Sequence, residues 1–374
     1  MTGPQSRVEG SSLSETQVPY LMSKLEALLP YSIPLFGRIQ FHLDRPKSPT
    51  ARIFVALAPR PGDPVLGDLG LDGGDQHSLD TWLRDPRGSE SSSPWIAAHI
   101  DLANPGQTQV WSFASWEVPN QAAGAEDADA PLDIHRALMK CFFTYVDRDL
   151  VPLMPLEANF DWLELKRTGK YLTTPYSRNK VLFGTLHVKL LPHFPEAARA
   201  RTDQGYLKYI FNLAPEADGE GGGEGRCREA GLPEGYRFGE MRSQDLQRVL
   251  DRTVIPRTLT TLRQLVSVAL FFEDQDDPIG WGFLGRDASI SSLHTEPEHR
   301  GKGLAVALSG ELLRRQRRAS AGLSGHHGGQ TWAHADVSET NTGSRRVMEK
   351  LGGAPKWRVA WTEIDLEKLL HSKN

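Results

Sequence analysis

The chain has 374 residues, 39% of them hydrophobic and 24% charged, with a formal net charge of −4. That length suits two domains, and the balance is that of a globular protein. No run approaches the roughly 18 apolar residues of a membrane span, residues 1–16 lack the apolar stretch of a secretory signal, and Cys141 and Cys227 stand apart without the spacing of a disulfide framework or a zinc site.

Residues 1–17 read as a disordered leader. Tyr20, Leu21, Leu25 and Leu28 recur at helical spacing and predict a short helix over 19–29. Residues 39–42 and 53–58 read as strands, separated by a turn at Asp44-Arg45-Pro46. Residues 60–94 are rich in Gly, Pro, Asp and Ser and read as loop with at most a helical turn. Strands over 95–101 and 109–116 flank Asn104-Pro105-Gly106, a hairpin signal. An acidic small-residue loop covers 124–130. Ile134, Leu138, Phe142 and Tyr145 then mark one face of a helix over 133–149. Between 152 and 211 prolines interrupt apolar patches and no order emerges. The glycine-rich run 219–225 predicts a linker over 215–231, dividing a domain at 18–214 from one at 232–374.

The C-terminal part is more sharply written. Its residues carry 20 basic and 18 acidic side chains, against 23 and 29 over 1–231. This contrast tolerates an anionic ligand but makes no nucleic-acid surface. A strand is predicted at 236–241, a helix from Ser243 to about 253, and a second helical piece at 259–265. Strands follow at 266–272, 279–285 and 288–295, the first two joined by the acidic turn Glu273-Asp274-Gln275-Asp276-Asp277-Pro278. A helix over 303–318 carries Leu304, Leu308 and Leu312 on one stripe. A loop at His326-His327-Gly328-Gly329, a strand at 332–337, a helix at 341–351 stopped by Gly352-Gly353, and a strand at 357–364 complete the chain.

The segment Leu293-His294-Thr295-Glu296-Pro297-Glu298-His299-Arg300-Gly301-Lys302-Gly303-Leu304-Ala305 joins a strand to a helix. A helix start offers unpaired N–H groups and partial positive charge. Glycines let the backbone turn tightly and approach an anion without a Cβ in the way, and Arg300 and Lys302 add charge. A turn before a helix needs nothing more than the same glycines. Neither a P-loop nor a dinucleotide fingerprint is present.

Arg300-x-x-Gly303-x-Ala305 resembles the Arg/Gln-x-x-Gly-x-Gly/Ala loop of GNAT acyltransferases, and the element order over 236–366 is the order of that fold. The resemblance implies an α/β fold with a mixed sheet, and acetyl-CoA as co-substrate with no metal. Its diphosphate would lie on the main chain of Arg300, Gly301, Lys302, Gly303, Leu304 and Ala305. The thioester arm would lie beside Leu293, His294 and Thr295, in a gap between the strand before the loop and the strand at 332–337. Asn341 and Ser344, in Ser338-Glu339-Thr340-Asn341-Thr342-Gly343-Ser344, are similar to the family's second element, where the Asn contacts pantetheine or caps the helix. The family's leaving-group tyrosine is here Met348, which cannot donate a proton. Water, Ser338 or Ser344 stands in, or the thiolate leaves unprotonated.

Leu29-Pro30-Tyr31-Ser32-Ile33-Pro34-Leu35-Phe36-Gly37, expected before a strand, and Ile279-Gly280-Trp281-Gly282-Phe283 with Asp287-Ala288-Ser289 are similar to glycine N-acyltransferases and their fungal relatives. This implies a degenerate GNAT-like N-terminal domain. The base of true glycine acyltransferases aligns near Ser289, which cannot serve. The implied reaction is direct attack of an amine on the thioester. His294 is the first candidate base because its ordinary pKa suits neutral pH; Glu273 and Glu296 are alternatives, each also readable as a solvated turn residue. Arg314-Arg315-Gln316-Arg317-Arg318 reads either as a contact for the 3′-phosphate or as a solvated helix end. The acceptor is expected to be a small amine or amino acid, in the cytoplasm, with neither membrane nor nucleic acid as partner. A protein acetyltransferase and a non-catalytic acyl-CoA sensor are the competing readings.

Overall fold

The computed structural model describes residues 8–59, 75–85, 93–119, 133–213, 231–323 and 332–371. In chain order its elements begin with β1 (Glu9–Ser12), α1 (Val18–Ala27), α2 (Ile33–Leu43), β2 (Arg52–Leu57), α3 (Asp75–Arg84), β3 (Trp95–Ile100), β4 (Val110–Ala114) and α4 (Asp133–Tyr145). Next come α5 (Phe160–Arg167), β5 (Lys180–His187), β6 (Arg199–Asn212), β7 (Tyr236–Gly239), α6 (Leu246–Arg252), α7 (Leu259–Leu262) and β8 (Ser267–Phe272). The last are β9 (Gly280–Leu284), β10 (Ser289–Thr295), α8 (Leu304–Leu323), β11 (Trp332–Ser338), α9 (Thr342–Lys350), β12 (Ala354–Asp365) and α10 (Leu366–His371). Two compact units divide the chain, one taking residues 1–159, 173–203 and 360–374, the other 160–172 and 204–359. This partition differs from the expected cut at 215–231, because β6 and β12 are long strands whose two ends belong to different units. The linker's glycine run, the acidic stretch 124–130 and the 326–329 loop lie outside the described residues.

In the first unit the sheet runs β1-β2-β3-β4-β5, then residues 360–365 of β12 and 199–203 of β6. The first three pairings are antiparallel. β4 and β5 are parallel and register only at Val110 and Phe183. There Gln109 spans the two chains: its N–H donates to the Leu182 carbonyl (2.9 Å) and its side-chain oxygen accepts the Leu182 N–H (3.0 Å). β2 is a continuous apolar run because both of its faces are covered. Ile53 and Val55 pack with Leu21, Leu35 and Trp82 of α1–α3, while Phe54 and Ala56 pack with Phe142 of α4.

Three expectations change here. Residues 39–42 belong to α2, not to a strand: Pro34 opens that helix, and Ile33, Phe36 and Ile39 bury one side of it. The leader expected over 1–17 includes β1, which pairs with β2. Its Gly10 lies so close to α4 that a Cβ would come within 2.6 Å of Cys141 Sγ. Within 60–94, α3 is a helix of 10 residues.

The second unit's sheet runs β7-β8-β9-β10-β11, then residues 204–212 of β6 and 354–359 of β12. All pairings from β7 to β10 are antiparallel, β10–β11 is parallel, and β11–β6 is antiparallel. Leu304, Leu308 and Leu312 form the buried stripe of α8. The helix sits close over β9 because Gly280 and Gly282 leave room: a Cβ on Gly282 would lie 2.7 Å from Leu312 Cδ1. The opposite face is covered by α6 and α7, whose Leu246, Val249 and Leu262 bury Trp281 and Phe283. Helix α9 ends as expected at Gly352 (φ 85°), where the Gly353 N–H bonds the Met348 carbonyl and the Gly352 N–H bonds that of Glu349.

Two stability predictions follow from this packing. A Cβ on Gly353 would sit 2.8 Å from Phe211 Cζ and closer still to Cε1, in a core with no slack, whereas one on Gly310, inside α8, meets nothing within 4 Å. Gly353→Ala should therefore lower the urea unfolding free energy by about 1–3 kcal/mol, and Gly310→Ala should raise it by about 0.5–1 kcal/mol. In the first unit, burial first and neighbouring positive charge second push His42 and His193 down from 6.5 to about 4. The unfolded chain takes up those protons as pH falls through 6.5, and the folded chain does not until about 4. Stability should thus fall with pH across that window and level off below it. A His42→Gln, His193→Gln double variant should show a flatter urea midpoint over the same range.

Candidate active site

Strand β10 is irregular on one side and abandoned on the other. Against β9 it pairs Ile290 with Leu284 and Ser291 with Phe283, then resumes with His294 opposite Trp281. One extra residue is accommodated between, and Ser292 takes φ 50°, a left-handed value uncommon for serine. Against β11 the parallel ladder holds for Ser289–His334 and Ile290–Ala335 and goes no further. Ser292 Oγ and Thr295 Oγ1 are buried there without hydrogen-bond partners. The His294 ring stacks on Trp281 (centroids 4.6 Å, 18°). Its Nε2, also buried, lies 3.4 Å from Glu296 Oε2. Arg252 Nε reaches the same carboxylate at 3.1 Å. Burial alone would raise the Glu296 pKa; the contacts with His294 and Arg252 outweigh it and hold the carboxyl below its usual range. Leu293 turns into the core beneath α8.

The connection from β10 to α8 makes a single 3-10 turn at Pro297–His299, then passes through Gly301 and Gly303, both at φ 80°. A Cβ at either glycine would meet nothing within 4 Å, so the backbone angle and not crowding demands glycine. Among the described residues, the main-chain N–H groups of Gly301, Lys302, Gly303, Leu304 and Ala305 have no protein acceptor. Arg300 differs from its expected part. Its N–H is bonded to the Pro297 carbonyl (3.2 Å) and its Nε to the Thr295 carbonyl (2.9 Å), so it braces the loop from behind. Lys302 Nζ rests on the Tyr236 hydroxyl (2.9 Å), which also bonds His299 Nδ1 (2.9 Å). Leu304 is buried and pins the helix start to the sheet.

Asn341 Oδ1 caps α9 by accepting the Ser344 N–H at 3.0 Å, and its side chain stays exposed. Met348 is buried in the core between α8 and β11, away from any proton-donating position. The Ser338 hydroxyl is bonded to that of Thr340.

Glu273 is not brought to His294. It is exposed at the β8–β9 turn with φ 47°, its N–H bonded to the Gly235 carbonyl, and β9 separates its strand from β10. The basic run begins ten residues beyond Leu304, about 15 Å up the helix, and Arg314 and Arg315 are paired with Glu311.

A buried polar group on the His294 face of the sheet escaped the sequence reading. His334 and Asp336 alternate with the core residues Ala333, Ala335 and Val337, so they face away from α8. Lys208, fully buried on β6, contacts Asp336 Oδ1 at 2.7 Å and His334 Nδ1 at 3.0 Å. His334 Nε2 meets the Asp287 carbonyl at 2.8 Å. A carbonyl only accepts, so Nε2 carries the proton and Nδ1 accepts from Lys208. Burial, then Lys208, lowers the His334 pKa. Asp287 would be raised by burial, yet His334, Lys208 and the Ser289 hydrogen bonds bring it below the usual value. The Asp287-Ala288-Ser289 turn was visible in sequence. Lys208 lies in the stretch from 152 to 211 that showed no order.

With this geometry in view, comparison with known proteins is specific. Residues 6–209 match the family described as acyl-CoA N-acyltransferase verG N-terminal domain, and residues 267–362 match FR47-like protein. No curated protein matches the chain. A solved structure from Drosophila is similar over 96% of this chain and 99% of its own, with TM-score 0.56 and 12% identity, a likeness of fold. A GCN5-related N-acetyltransferase from Sphaerobacter thermophilus matches over 98% and 97% (TM-score 0.46, 12% identity). A tandem GNAT protein from the clavulanic acid biosynthesis pathway matches over 96% and 99% (TM-score 0.43, 12% identity). The chain belongs to the acyl-CoA N-acyltransferases with a verG-type N-terminal domain, as a two-domain member of the GNAT superfamily.

Proposed function

We propose that this protein transfers an acetyl group from acetyl-CoA to the amine of a small molecule, amino acids included. The supporting observation is the set of uncommitted N–H groups from Gly301 to Ala305 at the start of α8. Converging main-chain donors at a helix N-terminus suit a diphosphate. The edge of β10 beyond Ile290, freed from β11, suits the amides of a pantetheine arm, which would add to it as a short strand does. That path runs back along β10 from the loop toward the bulge at Ser292.

His294 is then the base. The ionised Glu296, 3.4 Å from Nε2, stabilises the imidazolium that forms when the attacking ammonium gives up its proton to the ring. Trp281 fixes the ring plane by stacking. Met348, which stands where the family's tyrosine would, is a core residue and donates no proton; water, Ser338 or Ser344 supplies it, or the thiolate departs unprotonated. The reading needs no metal.

Two experiments test this. Gly303→Glu puts a carboxylate where the donors converge, though at a strained φ. Ala305→Glu does the same inside the first helical turn, where a carboxylate favours the helix itself. Both should weaken acetyl-CoA binding in calorimetry by on the order of 100-fold or more, with Ala305→Glu keeping the ligand-free melting temperature. Unchanged affinity in a folded Ala305→Glu protein would refute the assignment. In thiol-release assays His294→Gln should lower kcat by roughly 10²–10⁴ with KM for acetyl-CoA little changed, and Glu273→Gln should behave as wild type. Acetyl-CoA binding with no turnover on any amine would instead select the sensor reading.

A further inference from the structure

The acyl-transfer reading leaves Arg257 unexplained, a half-buried arginine with one guanidinium nitrogen out of reach of solvent. Arg257 lies in the connection between α6 and α7, just before Thr258, whose hydroxyl caps α7 through the Thr261 N–H (3.2 Å). The cap holds the preceding residue in place over the sheet face that carries His294 and His334. The guanidinium NH2 donates to Ser291 Oγ at 2.9 Å, and Ser291 immediately precedes the bulge. Arg257 Nε is buried without a hydrogen-bond partner, and among the described residues the side chain makes no ion pair.

Charge counting sharpens the point. Lys208 and Asp336 neutralise each other across β6 and β11. Asp287 is then the carboxylate whose field reaches Arg257, and Arg286 opposes it. Burial lowers the Arg257 pKa from its usual value, Arg286 adds to that and Asp287 counters it, but an arginine stays charged at any working pH. Asp287 acts on Arg257 only through its field, not as an ion pair, so a guanidinium whose Nε is buried with no acceptor is costly to keep unless something anionic joins it. A planar fork of N–H groups fits a carboxylate through two parallel hydrogen bonds.

Resting on the acyl-transfer reading for where the reaction occurs, we propose that Arg257 is the specificity residue that binds a carboxylate of the acceptor, so that the substrates are amines bearing a carboxylate and not simple amines or polyamines. Ser291 orients the guanidinium, and its place beside the bulge sets the carboxylate a short carbon chain away from an amine attacking near Ser292. An amine with a second cationic group would meet Arg257 and Arg286 instead and be repelled.

The test uses the full chain and matched sets of α-amino acids, their carboxamides and the corresponding decarboxylated amines. Wild-type protein should prefer the acids by on the order of 100-fold in kcat/KM. Arg257→Gln should erase that preference by raising KM for the acids, leaving the carboxamides and acetyl-CoA affinity unchanged. Arg257→Lys, which keeps charge and stem, should recover part of it and guards against a glutamine variant that folds poorly. Thermal shifts with the acids alone, without coenzyme, should be lost in Arg257→Gln and reduced in Arg257→Lys relative to wild type. Equal use or equal binding of acids and carboxamides by wild type, or an undiminished preference in Arg257→Lys and Arg257→Gln, overturns the proposal. Failure of the acyl-transfer reading shows separately as absent acetyl-CoA binding, and the coenzyme-free shifts still decide the role of Arg257.

Discussion

Two parallel strands that begin side by side and then part are the constraint on which the second unit depends. β10 and β11 share two register pairs and diverge after Ile290 and Ala335. Backbone amides inside a protein are expensive to leave unpaired, so a ladder that stops early persists only when something else uses the exposed groups. The chain enforces the divergence from both sides. On one, the bulge at Ser292 bends β10 toward β9. On the other, β6 pairs with β11 along its whole length, from Trp332–Asn212 to Ser338–Tyr206, and holds it in place. Helix α8, seated on Gly280 and Gly282, then puts its N-terminus at the open end.

Much of this was legible in the amino-acid order. The strands of the second unit are bracketed by strong punctuation, such as the acidic turn ending in Pro278 and the Gly285-to-Ala288 turn, and the Leu304-Leu308-Leu312 stripe has one periodic reading. Gly301 and Gly303 announced a tight turn, and both take φ 80° in it. The bulge was not legible, because a serine carries no sign of positive φ. Nor was the Lys208–His334–Asp287 network, since its members come from β6, β11 and the turn before β10 and meet only through sheet order. The misread strand at 39–42 shows the opposite failure. Four residues with alternating character satisfy a strand pattern, yet the helix begun at Ile33 simply continues through them.

The two units contrast in how they treat the same motif. In the first, β4 and β5 are also parallel and touch at one register pair, but Gln109 bridges them with its main chain and its side-chain amide. The sequence joining β4 to α4 is acidic and lacks paired glycines with basic neighbours.

The long reach of β6 bears on how this protein can be dissected. A fragment beginning at residue 232 looks self-sufficient in sequence, because the strand-to-helix segment Leu293–Ala305 and the second element at Ser338–Ser344 both follow that point. It would lack 204–212, and β11 would then expose a full row of unpaired amides and carbonyls, the template on which chains add to one another edge to edge. Asp336 and His334 would at the same stroke lose Lys208, stranding a carboxylate in the interior. The second unit is thus not severable at residue 232, and a fragment beginning there should aggregate through the exposed edge of β11.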